Sequence, residues 1–210
     1  LELGCGTGQL WKSIADKIPA GWNITLSDLS QGMLDAAWRN LVVTARAFKF
    51  EQIDAGSIPY PDEAFDAVIA NHMLYHLPDR PRAIEGIKRV LKPTGRLFAT
   101  TVGEKHMQGM DEWRRRASNN HAGSFSTPFT LENGMEQLTP FFSEVQLSRY
   151  EDNLQVTEVE PIIAYLCSVI DPSDLDTNEL AKIQAELETR LEQEKTIFIS
   201  KDSGLFEAVK

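Results

Sequence analysis

Short apolar, β-branched runs alternate with amphipathic helical runs through the first half of the chain. This is the pattern of an α/β fold built on a parallel sheet. Leu1–Leu3 reads as the end of a strand, and Gly8–Ile18 as a helix with Leu10, Trp11, Ile14 and Ile18 on one face, stopped by Pro19-Ala20-Gly21. Trp22–Ser27 predicts a second strand, Ser30–Leu41 a second helix with Ser30 as its N-cap, and Ala47–Ile53 a third strand. Pro59 and Pro61 punctuate a loop. Phe65–Ala70 is then nearly all apolar, as a strand covered on both faces should be. Arg80–Leu91 predicts a helix ended by Lys92-Pro93-Thr94-Gly95, and Arg96–Thr101 a fifth strand. Five strand–helix units with right-handed crossovers make an open, doubly wound sheet.

The pattern changes after residue 102. Gly103–Thr130 is polar and helix-leaning, with a glycine- and serine-rich stretch, HAGSFSTPFT, and Thr130 is placed to cap a short helix reaching Leu138. Glu144–Arg149 and Leu154–Thr157 read as strands, and Pro161–Ile170 as a short apolar helix. Asp176–Lys195 is a long helix, opened by an Asp176/Glu179 capping-box spacing and striped by Leu180, Ile183, Leu187 and Leu191. That stripe fits cover for the sheet, and a homodimer contact is the alternative. The end, TIFISKDSGLFEAVK, reads as an antiparallel hairpin turning at Lys201-Asp202-Ser203-Gly204. The expected organisation is one domain over 1–210. Residues 1–102 form the α/β core, 103–195 a cover with a sheet-completing strand, and 196–210 the terminal hairpin.

Composition narrows the class only modestly. The chain has 210 residues, 42% hydrophobic and 25% charged, within the range of one globular domain. No apolar run reaches membrane-span length, and no leader is visible. The chain opens at Leu1, inside an apolar-to-glycine transition, so an upstream segment is expected to precede it. A formal charge of −10 disfavours a phosphate-backbone partner, and no nucleic acid is expected. Two cysteines, Cys5 and Cys167, make neither a disulfide framework nor a metal site, so a reducing, cytoplasmic setting and no metal are expected.

The densest chemistry lies at the start. Gly4, Gly6 and Gly8 follow a strand end and open a helix. Glycines there permit positive φ and close approach of a ligand to the backbone. The dinucleotide fingerprint places two residues between its last two glycines, and here there is one. Glu2, just before the turn, suits a ligand bearing positive charge. Asp28, at the end of the second strand, is placed to take both hydroxyls of a ribose, or else to serve as an acid at a strand–helix turn.

At this point a resemblance becomes specific. ELGCGTG resembles the first motif of the class I S-adenosylmethionine-dependent methyltransferases. Four later segments are similar to that family in the right order: LSDLSQGML (Leu26–Leu34), IDAGSIPYPDEAFDAVIA (Ile53–Ala70), NHMLYHLPD (Asn71–Asp79) and RVLKPTGRLFATT (Arg89–Thr101). The resemblance is closest to the small-molecule group that contains quinone-biosynthesis methyltransferases. It implies a Rossmann-like, mostly parallel seven-stranded sheet with S-adenosyl-L-methionine as cofactor. It places Glu2 near the methionine amino group and Gly4, Gly6 and Gly8 along the methionine and ribose side. It sets Asp28 on the ribose with Leu29 beside it, Met33 near the adenine, Asp54 and Ala55 on the adenine, and the Asn71 backbone at the methionine moiety.

Methyl transfer from a sulfonium is an in-line displacement in which the cofactor carries the activated group, so neither a triad nor a metal cluster is expected. His72, Tyr75 and His76 follow the fourth strand, where open α/β sheets hold their ligands. His72 and His76 are candidate general bases, and Tyr75, His76 and Trp113 candidate substrate contacts. The bland alternative makes the histidines a helix cap and an edge-packing residue. His106 and His121 are expected at the surface. Arg114–Arg116 read either as an anion patch or, preferably, as a solvated helix face. Phe125, Phe129, Phe141 and Phe142 fit a pocket roof or core packing equally. Cys5 inside the turn counts for its size. The expected function is methyl transfer to an O, N or C nucleophile of a small molecule. The alternatives are a nicotinamide-dependent oxidoreductase and a non-catalytic cofactor-binding partner subunit.

Overall fold

The sheet begins with β1 (Glu2–Leu3), which lies between two parallel neighbours: Glu2 pairs with Leu26 of β2 (Thr25–Asp28) and with Ile69 of β4 (Phe65–Asn71). β2 pairs in turn with β3 (Lys49–Gln52), and β4 with β5 (Leu91–Val102), all parallel. With β6 (Glu144–Val156) and β7 (Ile197–Val209) the order is β3-β2-β1-β4-β5-β7-β6. The chain therefore winds outward from β1 to β3, then returns to β1 and winds the other way from β4. The β1/β4 boundary is the topological switch point, where the carboxyl ends of open sheets hold ligands. The computed structural model describes residues 1–119 and 127–210. His121, Phe125 and most of the glycine- and serine-rich stretch lie outside the described residues.

The chain divides into two compact units. The first comprises Leu1–Val102, Phe129–Arg149 and Gly204–Lys210. It holds helices α1 (Gln9–Ile14), α2 (Gln31–Leu41) and α3 (Arg80–Val90). Ser30 caps α2 by accepting from the Met33 amide, and Asp79 caps α3 through the Arg82 amide. Trp11, Ile18, Leu26, Leu34, Ala37 and Leu41 form one core cluster. Leu3, Val68, Ile84, Ile87, Leu97, Phe129, Leu138 and Phe206 belong to the other. Leu10, predicted on the buried face of the first helix, is exposed at 39%.

Three local expectations are corrected here. Lys92–Gly95 does not stop the chain before a strand; it is an irregularity inside β5, where the register jumps from Phe65↔Leu91 to Ala67↔Arg96. The two strands expected over 144–157 are one strand, β6. The terminal hairpin is likewise one strand: the Gly103 amide donates to Asp202 O and the Lys210 amide to Gly95 O, so β7 runs antiparallel to β5 along its length. Gly204 marks a close backbone approach and not a turn, since a Cβ there would lie 2.8 Å from Ser148 O.

Phe129 and Phe142, offered as pocket roof or core, are core. Phe129 and Phe206 meet edge-on with ring centroids 5.6 Å apart, beneath α5 (Gly134–Leu138). A Cβ on Gly134 would lie 2.5 and 2.6 Å from the Phe206 ring and 3.0 Å from Phe129. Both rings are fully buried and cannot swing away. Gly134→Ala is therefore expected to cost about 1–3 kcal/mol by overpacking. Calorimetry should show the melting of the variant lowered by several degrees. Gly109→Ala, where a Cβ meets nothing within 4 Å, is the control and should leave melting unchanged or slightly raised.

The second unit comprises Gly103–Pro128 and Tyr150–Ser203. Its core gathers Met110 and Ala117 from and beside α4 (Gln108–Arg116), Ile162 and Leu166 of α6 (Glu160–Val169), Ile183 and Leu187 of α7 (Thr177–Glu194), and Ile197 and Ile199 of β7. The stripe on the long helix thus packs into this unit's core, which includes Ile197 and Ile199 of the sheet strand β7. Asp176 caps α7 by accepting from the amides of Asn178 and Glu179. The Glu179 carboxylate does not reach back as a capping box would; it pairs with Arg116 at 2.9 Å and Lys182 at 3.1 Å. Arg116 also pairs with Glu186 at 2.8 Å, and Arg114, buried, with Asp111 at 2.8 Å. Acids of the unit itself pair with all three arginines, which counts against an anion patch; Arg115 is exposed, as a solvated face would have it, whereas Arg114 is buried. His106 is half-buried, its Nδ1 accepting from the Asp202 amide at 3.0 Å.

Candidate active site

The glycine turn is left-handed three times over, with φ of +68° at Gly4, +54° at Gly6 and +72° at Gly8. An L side chain is strained at such φ, but each glycine answers a different neighbour. A Cβ at Gly8 would lie 2.9 Å from Leu41 Cδ1 and 3.3 Å from Ala37 Cβ, so Gly8 lets α2 pack against the turn. A Cβ at Gly4 would lie 3.0 Å from Met73 Cβ. At Gly6 a Cβ would meet nothing within 4 Å. Gly6 is therefore the member of the turn whose backbone faces open space, the arrangement a ligand laid along the chain requires.

Asp28 at the end of β2 tightens this turn. One carboxylate oxygen accepts from the Gly6 amide at 2.9 Å and the other from the Ser30 amide at 2.9 Å. The acid predicted to meet a ribose thus also joins the turn to the start of α2. Leu29 and Met33, beside it, are large apolar residues exposed at 67% and 45%. Exposed apolar side chains flanking a carboxylate suit the flat face of a purine. Asp54 follows β3, and its Oδ1 accepts from the Gly56 amide at 2.8 Å, while the next residue, Ala55, is buried.

Glu2 lies under the turn and is 2% exposed. Its Oε2 accepts from Trp11 Nε1 at 2.6 Å and its Oε1 from Asn71 Nδ2 at 3.1 Å. Burial raises its pKa, and the Trp11 and Asn71 hydrogen bonds oppose that rise. Two N–H donors, one on each oxygen, match the ionised carboxylate. Cys5 is buried between Glu2 and Asp28; burial and these two acids push its thiol up to about 12, so it fills space and does not react.

At the end of β4 the backbone turns sharply. His72 is left-handed at φ +48°, and its amide donates to both Thr100 O and Thr100 Oγ1, each at 3.1 Å. The tight 3-10 turn Leu74–His76 follows, and the rings of Tyr75 and His76 meet at a tilt of 59° with centroids 4.5 Å apart. His72 and His76 are exposed, and Tyr75 is half-buried with its phenol pKa raised by burial. Glu2, the glycines, Asp28, Asn71 and the His72–His76 turn therefore meet at the carboxyl edge of β1, β2 and β4. Trp113 belongs to the second unit and packs against that unit's core. Residue types alone did not single out Trp11, Met73 and Thr100, each of which holds a part of this edge in place. Among the described residues no group of three His, Cys, Asp or Glu is placed to hold a metal ion, and no helix is long and apolar enough to cross a membrane.

Residues 1–99 match the family described as a methyltransferase domain. The chain is 34% identical over 99 residues to a demethylmenaquinone methyltransferase of Lactobacillus johnsonii, covering 46% of this chain and 41% of that protein. It is 31% identical over 108 residues to the ubiquinone/menaquinone biosynthesis C-methyltransferase UbiE of Cellvibrio japonicus, covering 50% and 43%. The matches thus span less than half the length of these curated relatives. Protein BH2331 of Bacillus halodurans C-125 has the same fold over 100% of this chain and 90% of its own, with a TM-score of 0.68 at 17% identity. The turn after β1, the acid ending β2 and the matched residues 1–99 agree on one likeness: the first half of the chain is similar to the methyltransferase-domain family.

Proposed function

We propose that this chain moves a methyl group from S-adenosylmethionine to a small-molecule acceptor, with the ring carbon of a reduced quinone as the acceptor class to test first. The observation that carries the reading is the left-handed turn Gly4–Gly8 with the Asp28 carboxylate against the Gly6 amide, set at the switch point of the sheet. Gly6 gives the donor a bare backbone to lie on, and Gly4 and Gly8 hold the turn on either side of it. Asp28 accepts from the ribose hydroxyls, Leu29 and Met33 flank the adenine with Asp54 and Ala55 at its edge, and Glu2 and the Asn71 backbone serve the methionine end. Bound there, the cofactor supplies a methyl group already activated on a positively charged sulfur.

What remains for the chain is orientation and proton handling. A phenolic ring carbon becomes a strong nucleophile when its neighbouring hydroxyl gives up a proton, so a base beside that hydroxyl is useful. His72 and His76 are exposed at the right edge, and histidine takes a proton near neutral pH. The tilted Tyr75–His76 pair offers aromatic contact to a planar ring. The similarity to two quinone-biosynthesis methyltransferases supports the quinone acceptor, and the chain's own glycine turn supports the donor.

Calorimetric titration with S-adenosylmethionine and, separately, NADH tests the donor. Binding of the first and not the second is expected. No binding of S-adenosylmethionine at millimolar concentration, or tight NADH binding, would sink the reading. Transfer of a radiolabelled methyl group to reduced demethylmenaquinone then tests the acceptor. Binding without turnover across quinols, phenols and amines would instead mark a non-catalytic subunit.

A further inference from the structure

A hydrogen-bonded line runs across the carboxyl edge of the first unit. Trp11 Nε1 of α1 donates to Glu2 of β1 at 2.6 Å, and Asn71 Nδ2 of β4 donates to the other oxygen of Glu2 at 3.1 Å. The Thr100 hydroxyl of β5 donates to Asn71 Oδ1 at 3.2 Å and accepts from the His72 amide at 3.1 Å. Asn71 and Thr100 are also paired in the β4/β5 register. Thr100 is the point where this line meets the left-handed residue that opens the acceptor side.

We propose that Thr100 is a positioning residue of the methyl-transfer site: its hydroxyl orients the Asn71 amide toward Glu2 and holds the left-handed turn at His72. An asparagine amide can present either end to Glu2, and only its N–H end satisfies a carboxylate. A donor on Oδ1 from the far side selects that end, and Thr100 Oγ1 is that donor. A histidine at φ +48° is held in a sparsely populated conformation, which persists only where its surroundings determine it. The Thr100 side chain and backbone carbonyl both accept from its amide. Valine in place of Thr100 would keep the shape and the strand pairing while removing both links of the hydroxyl.

The inference rests on the proposed donor site, and calorimetry with S-adenosylhomocysteine separates the two. Thr100→Val is expected to bind S-adenosylhomocysteine roughly 3- to 10-fold more weakly, the effect of losing about one neutral hydrogen bond. Thr100→Ser is expected to restore binding, with all three proteins melting alike. Should Thr100→Val fold poorly, Thr100→Ala against Thr100→Ser makes the same comparison. If the parent binds and the hydroxyl-free variants bind equally well, the role of Thr100 is overturned while the donor site stands. If serine fails to restore what valine loses, the residue acts through packing and the inference is again overturned. If the parent protein itself does not bind, the donor reading fails and takes this inference with it.

Discussion

Replacing Asp28 with alanine is expected to weaken S-adenosylmethionine binding by at least about 100-fold while leaving the fold nearly intact. The carboxylate would lose two ribose hydroxyl donors, and hydrogen bonds to a charged acceptor are worth roughly 1.5–3 kcal/mol each. At about 1.4 kcal/mol per decade, two of them give two to four decades. The same change removes the acceptor for the Gly6 and Ser30 amides. Neither amide lies deep in the core, so water can replace the carboxylate, and melting should fall by only a few degrees. Asp28→Asn should lie between parent and alanine, since one oxygen still accepts. Titration calorimetry with S-adenosylmethionine, alongside thermal melting, checks both halves. An affinity within threefold of the parent would show that Asp28 only braces the turn, the plainer role also open to an acid at that strand–helix junction.

Asp28 shows how far the sequence reaches. The turn, the acid Asp28 and the succession of the first five strands along the chain were legible because each rests on local chemistry: glycine where φ is positive, an acid where β2 ends, apolar runs bounded by punctuation. Ser30 capping α2 is of the same kind. Trp11 was legible only as an apolar residue on a helix face. Nothing in the spacing says that its indole N–H meets Glu2, nine positions away and on another element. Thr100 reads as an ordinary strand residue for the same reason. The largest misreading was at the C-terminus. Lys201-Asp202-Ser203-Gly204 carries turn residues, yet it lies within a 13-residue strand. Lys201 pairs with Asp152 at 2.9 Å, and the missing Cβ of Gly204 lets Ser148 O come close. Both features depend on a partner strand about fifty residues earlier. Turn propensity is local, and long-range pairing overrode it.

Glu2 carries the other large effect, and two substitutions separate its charge from its contacts. Glu2→Ala would leave the indole N–H of buried Trp11, and an N–H of Asn71, without their acceptor. A buried donor left unpaired costs about 1–3 kcal/mol, so a loss of roughly 2–5 kcal/mol is expected for the pair. That corresponds to a melting temperature lower by something like 5–15 °C for a chain of this size. Glu2→Gln keeps the shape and one carbonyl acceptor, so a smaller loss is expected, and its reading is electrostatic. A negative charge in a site shielded from water acts strongly on a positive charge brought nearby. S-adenosylmethionine carries a sulfonium that S-adenosylhomocysteine lacks, while the rest of the two ligands is the same. Glu2→Gln should therefore weaken the first ligand several-fold more than the second. Equal weakening of both would mean that Glu2 acts on the donor only by holding Asn71 and Trp11, and that the acid before the turn has no part in selecting a cation. Unequal weakening in the expected direction would tie the buried carboxylate beneath the glycines to the charge of the methyl donor.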